Sequence, residues 1–122
     1  MLGLNVTRQI LVTDEVVKEA EKIGTKGSDL FVKLMKVFNE NQRNFFGLQA
    51  GPLHDPATIV SIIDEDTFVF EEMNVTIDTS NTDQAGKTIC SLNKKPYNVR
   101  VATEVDVARY WSNIYEHLRR CN

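Results

Sequence analysis

The chain has 122 residues, the length of one ordinary domain, and its 42% hydrophobic and 25% charged residues exclude the disordered and fibrous classes. A formal net charge of -3, with Lys94-Lys95 and Arg119-Arg120 as the only adjacent basic pairs, argues against nucleic acid as a partner. No apolar run reaches the length of a membrane-spanning helix, and Met1 to Leu4 meets Asn5 and Arg8 too early for a secretory signal, so a soluble, cytoplasmic protein without membrane association is expected.

Met1 to Leu4 reads as the tail of a strand that runs into a short helical turn around Arg8 to Leu11. Thr13 is the expected N-cap of a helix that carries Asp14 and Glu15 at its positive end, buries Val16, Val17 and Ala20, and stops at Gly24. Ser28 is expected to cap a longer helix reaching about Phe45. On it Leu30, Phe31, Leu34, Met35, Val37 and Phe38 recur at helical spacing and mark one buried stripe. Gly47 to Pro52 is a loop of turn formers, and a third helix follows over Pro56 to Ile63, with proline at its first position and Asp55 as its cap.

From Asp64 onward the pattern changes to the alternation of strands: Phe68 and Phe70, then Met73, Val75 and Ile77, then Thr88 to Leu92, then Val99 and Val101. Turns fall near Ser80-Asn81 and over Lys94 to Asn98. Asp106 caps a last helix whose face is Val107, Tyr110, Trp111, Ile114, Tyr115 and Leu118, with Arg119 and Arg120 at its negative end. Helices, a small β meander and a final helix make an α/β chain that no repeat or linker divides, so residues 1–122 read as a single domain. Without an export signal, Cys90 and Cys121 are expected as free thiols.

His54-Asp55-Pro56 is the one constellation that carries chemistry. A loop-to-helix junction can hold an imidazole and a carboxylate rigidly against a cleft. The histidine can give a proton to a leaving group, and the carboxylate is an oxygen ligand of the kind hard cations need. The residues alone leave a plainer alternative open, in which Asp55 only caps the helix and His54 is solvated surface. His117 has no partner at a diagnostic spacing, and the runs Asp64-Glu65-Asp66 and Glu71-Glu72 read as solvent-facing.

Gly51-Pro52-Leu53-His54-Asp55-Pro56-Ala57, ahead of an apolar helix, is similar to the late motif of the inosine-uridine type nucleoside hydrolases. Leu4-Asn5-Val6-Thr7 resembles that family's turn after a central strand, and Gly86 to Cys90 its glycine-led strand. Asn98 to Ala102, continuing through Asp106 and Trp111, resembles its closing strand and final helix. The likeness covers almost the whole chain, and its motifs fall in the family's order.

The resemblance implies the C-terminal part of the nucleoside hydrolase fold. It also implies a glycosidase of nucleoside salvage that cleaves the bond between ribose and base in a ribonucleoside, with calcium as cofactor. Carried over residue by residue, His54 is the leaving-group acid and Asp55 a calcium ligand, with Gln42, Phe45 and Phe46 as candidates for the base pocket. The family's aspartate cluster, Asp-x-Asp-x-Gly-x-Asp-Asp, has no counterpart here, so the calcium site is expected to be incomplete and this chain inactive alone. Self-association, or pairing with an N-terminal portion, is expected to cover apolar helix faces. A truncated paralogue that serves as a binding or oligomerisation module is the non-catalytic alternative.

Overall fold

A computed structural model describes all of residues 1–122. Four helices come first: α1 (Leu4–Thr7), α2 (Asp14–Glu21), α3 (Lys26–Phe46) and α4 (Pro56–Ile63). A single 3-10 turn, Glu65–Thr67, leads into β1 (Phe68–Ile77), β2 (Thr88–Ser91), β3 (Val99–Val105) and the closing helix α5 (Val107–Arg120). No helix is long and apolar enough to cross a membrane.

Local chemistry explains most helix ends. The Thr13 hydroxyl accepts from the Val16 amide at the start of α2, and the Asp106 carboxylate accepts from the Arg109 amide at the start of α5. At α3 the cap is Thr25 rather than the expected Ser28. The Thr25 hydroxyl accepts from the Ser28 amide at 3.1 Å, and the Ser28 hydroxyl accepts from the Thr25 amide at 2.9 Å. Ser28 thus takes the place usually filled by Glu or Gln in a reciprocal capping box. The helix ends at Gly47, whose φ of 67° is the left-handed conformation that glycine adopts without steric cost.

The apolar stripe of α3 is narrower than its sequence pattern. Val32 is buried and Phe31, Met35 and Phe38 pack against the core, whereas Leu30, Leu34 and Val37 are more than half exposed. The six residues form two lines about 100° apart around the helix, one residue's rotation, and only one line reaches this core.

The three strands form one antiparallel sheet in the order β2-β1-β3, so β1 is central and the arrangement is not the sequential order of a strict meander. Asn74–Ile77 of β1 pair with β2, and Phe68–Met73 pair with β3. Where the backbone leaves β3, the Asn98 side chain continues the ladder: it accepts from the Val75 amide at 2.8 Å and donates to the Val75 carbonyl at 2.9 Å. Beyond β3, the Met1 amino group donates to the Arg100 carbonyl and the Met1 carbonyl accepts from the Ala102 amide. Met1 therefore lies along a strand edge without being a regular strand, and the helical turn that follows covers Leu4–Thr7 rather than Arg8 to Leu11.

Residues 10–12 are extended instead, and they hold the segment that precedes α4. Leu53 donates to the Ile10 carbonyl at 2.8 Å and Val12 to the Gly51 carbonyl at 2.9 Å. The buried Asn39 of α3 completes this pairing: its carboxamide accepts from the Gly51 amide at 2.9 Å and donates to the Val12 carbonyl at 2.7 Å. Gly51 is required for close approach, because a Cβ there would lie 2.3 Å from the Phe38 ring and 2.6 Å from the Gln42 side chain.

The core runs from Val6, Ile10 and Val12 through Val17, Ala57 and Val60 to Tyr110 and Trp111, whose rings meet edge to face at 5.1 Å. The C-terminal end of α5 docks on the start of α3. Thr25 donates its hydroxyl proton to the Leu118 carbonyl at 2.7 Å, and the Gly27 amide donates to the Cys121 carbonyl at 3.1 Å. The carbonyls at the end of α5 thereby meet a hydroxyl and an amide at the start of α3. Cys90 and Cys121 are free and exposed.

The acidic run after α4 is partly structural. Arg109 donates to both oxygens of Asp64 at 2.7 Å, and Asn113 and Thr67 donate to the same carboxylate. Glu65 pairs with Arg100, and Asp66 with Arg109 at 3.5 Å. The Arg109 hydrogen bonds, followed by that of Asn113, hold the Asp64 carboxyl well below its ordinary value of 3.8.

Two outcomes follow from these contacts. Asn39→Ala strands one buried donor and one buried acceptor, so the midpoint of urea unfolding should fall by the equivalent of about 2–4 kcal/mol; an unchanged midpoint would show that water serves both groups equally well. The Asp64 value is depressed by folding, so its stabilising contribution is present above about pH 4 and is lost as acid titrates the folded form. Asp64→Asn should therefore flatten the loss of stability between about pH 4 and pH 2, and parallel stability profiles for the two proteins would remove Asp64 as its source.

Candidate functional site

His54 and Asp55 sit where the segment pinned by residues 10–12 turns into α4. The His54 Nδ1 lies 2.8 Å from the hydroxyl of Thr7, the last residue of α1, and the imidazole is half-buried. Thr7 itself is buried. The ring is thus held between α1 and the start of α4, with one nitrogen engaged.

Asp55 occupies the N-cap position of α4 but does not cap it. Its backbone is already helical, with φ -64° and ψ -43°, and its side chain makes no capping hydrogen bond. The Thr58 amide and hydroxyl both donate to the Asp55 backbone carbonyl, at 3.1 and 2.7 Å, and Pro56 has no amide proton to satisfy. The expectation that Asp55 caps the helix is therefore corrected: the helix starts without the carboxylate, which remains exposed to solvent.

Asp55 borders two cavities. One, of about 560 Å³, lies between the segment ahead of α1, the start of α4 and β2, and its lining includes Leu4, Thr7, His54, Asp55, Thr88 and Cys90. The other, also about 560 Å³ and almost wholly apolar, lies between α4 and α5, with Ile59, Ile63 and Ile114 in its wall and His117 on it. The first cavity joins the two residues singled out in the sequence. Thr88 and Cys90, two apart on β2, present the same face of that strand to it.

Gln42, Phe45 and Phe46 line neither cavity. Gln42 is half-buried against Gly51, while Phe45 and Phe46, on the last turn of α3, are 77% and 69% exposed. His117 is exposed, and its Nδ1 donates to the Asn113 carbonyl at 2.8 Å.

The residues present do not make up a calcium site. Calcium takes about six to eight oxygens, and the cavity around His54 is lined by one carboxylate, Asp55, beside the hydroxyls of Thr7, Thr58 and Thr88. No group of three or more His, Cys, Asp or Glu side chains converges anywhere in the chain.

Thr7 and Asn39, which fix the geometry, were not read as functional residues from the sequence. Thr7 ends a four-residue helix too short to carry a periodic signal. Asn39 continues the buried line of Val32 and Met35 at helical spacing, and a polar residue on that line was the available sign.

Comparison with known proteins bears on the family and the fold. Residues 1–112 match the family of inosine-uridine preferring nucleoside hydrolases. The chain is 30% identical to the pyrimidine-specific ribonucleoside hydrolase RihB of Shigella flexneri serotype 5b (strain 8401), over 98% of its own length and 39% of that protein's. Its fold is shared with a purine-preferring ribonucleoside hydrolase from Gardnerella vaginalis, at a TM-score of 0.82 and 24% identity, over 98% of this chain and 39% of that one. A plant nucleoside hydrolase, PpNRh1, is similar at a TM-score of 0.80 and 23% identity, over 97% of this chain and 41% of the other. The chain thus spans about two fifths of the length of these relatives, and it belongs to the inosine-uridine preferring nucleoside hydrolase family.

Proposed function

We propose that this chain supplies the leaving-group side of a ribonucleoside hydrolase. In the overall reaction the bond between ribose C1′ and the base nitrogen breaks, water adds its oxygen to C1′, and the base departs with a proton. His54 gives that proton to the base, and Asp55 is one oxygen ligand of a calcium ion. The carrying observation is that His54 and Asp55 share one cavity while the Asp55 carboxylate, relieved of any capping duty, has no partner within the chain. Gln42, Phe45 and Phe46 are retained as candidate contacts to the base, and the reaction is placed in the cytoplasm.

Asp55 is one ligand of a set, so the other oxygens and the group that activates water are assigned to polypeptide that completes the family's length. The exposed apolar residues support the same division. Leu30, Leu34 and Val37 on α3, and Ile59 and Ile62 on α4, are each more than half exposed, and such faces call for cover by an N-terminal portion or by a second copy. Those faces also favour a second reading, in which the chain is a non-catalytic oligomerisation module. Residues 1–122 are taken as one unit in either case.

The readings separate in a calcium-dependent nucleoside assay. The chain alone should release no base from inosine or uridine, and the chain joined to the missing family portion should release both ribose and base. Absence of turnover in the joined protein would favour the module. In that protein His54→Ala should slow release of a poor leaving base by on the order of a hundredfold, and an unchanged rate would remove His54 from the reaction. Asp55→Ala should weaken calcium binding in calorimetry, and identical isotherms would refute its role as a ligand.

A further inference from the structure

The contact between Thr7 and His54 has one of two directions, set by where the single hydroxyl proton goes. A threonine hydroxyl has one proton to give and two lone pairs to receive. The Thr7 hydroxyl donates to the Gly3 carbonyl at 3.3 Å, one helical turn back, and a carbonyl can only accept. With that proton on the Gly3 carbonyl, the hydroxyl turns a lone pair toward the His54 Nδ1, 2.8 Å away, and the proton of that bond belongs to the imidazole; given to Nδ1 instead, it would leave the imidazole proton on Nε2.

We propose that Thr7 is a positioning residue for His54. It fixes the neutral ring as the tautomer protonated on Nδ1 and leaves Nε2 as the nitrogen available to the cavity. An acceptor facing Nδ1 is compatible with the neutral ring and with the cation, so the ring keeps one orientation while a proton is held at or given from Nε2. A donor facing Nδ1 would bar the cation.

The rest of the fold keeps Thr7 in place. Asn5, within the same short helix, donates its side-chain amide to the Ala102 carbonyl at 3.2 Å, and Met1 is bonded on both sides of Val101. These bonds tie α1 to β3. From the other side, the Ile10 and Val12 pairing with residues 51–53 sets how far along the chain His54 stands from Thr7. Both partners are thus fixed by backbone pairing before their side chains meet. Thr7 is 4% exposed, so its hydroxyl has little water to turn to instead.

The inference rests on the reading of His54 as the leaving-group acid for its purpose, but its geometry is testable without any reaction. The chain has two histidines, and His117 provides an internal reference, because its Nδ1 faces a carbonyl and must carry a proton. In alkaline solution, long-range nitrogen-proton NMR spectra of the whole chain should show the neutral forms of His54 and His117 both protonated on Nδ1. Thr7→Val removes the lone pair at nearly constant shape and should move His54 to the Nε2-protonated tautomer, leaving His117 unchanged. Thr7→Ser should restore the original form.

A wild-type His54 protonated on Nε2 would overturn the proposal, as would an unchanged tautomer in Thr7→Val with the His117 signal intact. If the valine variant loses the His117 signature and has therefore unfolded, the wild-type and serine proteins decide: Nδ1 protonation in both supports the assignment, and Nε2 protonation in either defeats it. In the joined hydrolase, Thr7→Val should lower kcat for a poor leaving base by on the order of tenfold with KM unchanged, and Thr7→Ser should recover it. A tautomer that shifts while kcat stays constant would leave the Thr7 contact standing and remove His54 as the acid, so the two failures are distinct.

Discussion

The carboxamide of Asn39 is the constraint on which the site depends. Val12 and Gly51 are paired on one side by their own backbone bond, and Asn39 supplies the next donor and acceptor where the chain offers none. A buried amide and a buried carbonyl are costly if unpaired, so this single side chain holds α3, the extended segment after α1 and the loop before α4 in one relation. His54 is three residues beyond Gly51, and its position relative to Thr7 is inherited from that pairing. Apolar contacts around Ile10, Val12 and Ala57 supply most of the burial, but they do not by themselves choose a register.

Charge and polarity around the site are arranged in two ways. Asp64, a short distance along the chain, is saturated by Arg109, Asn113 and Thr67 and is committed to joining the end of α4 to α5. Asp55 has no such partner and is exposed. Two aspartates at opposite ends of one eight-residue helix therefore have opposite assignments, and the difference lies entirely in what surrounds them. Residue type alone would not separate them.

Much of the fold was legible because its signals are local. The bounds of α4 follow from proline at its first position and an unbroken apolar run, and Thr13 and Asp106 announce α2 and α5 as caps. Where two hydroxyl residues stood three apart, Thr25 and Ser28, the pattern could not tell cap from third residue, because a reciprocal box uses both. The width of the α3 stripe misled for a different reason: periodicity reports that a face is apolar, and the covering surface for Leu30, Leu34 and Val37 is not within these residues. His54 and Asp55 were visible as chemistry at a loop-to-helix junction. Thr7 and Asn39 act through tertiary contacts 47 and 12 residues away in the chain, which no window of sequence displays. The place of β1 at the centre of the sheet was hidden likewise, since alternation marks strands and leaves their order open.

The docking of α5 on the start of α3 bears on how the chain acquires its shape. Thr25 reaches the Leu118 carbonyl across 93 residues, and Met1 reaches Arg100 across 99. Each of these contacts closes only when partners more than ninety residues apart have been brought together, so its loop entropy is offset by the packing of everything between them. The Thr25–Ser28 box lets the first turn of α3 close by itself, and during synthesis the Leu118 and Cys121 carbonyls reach it only after more than ninety further residues have been made.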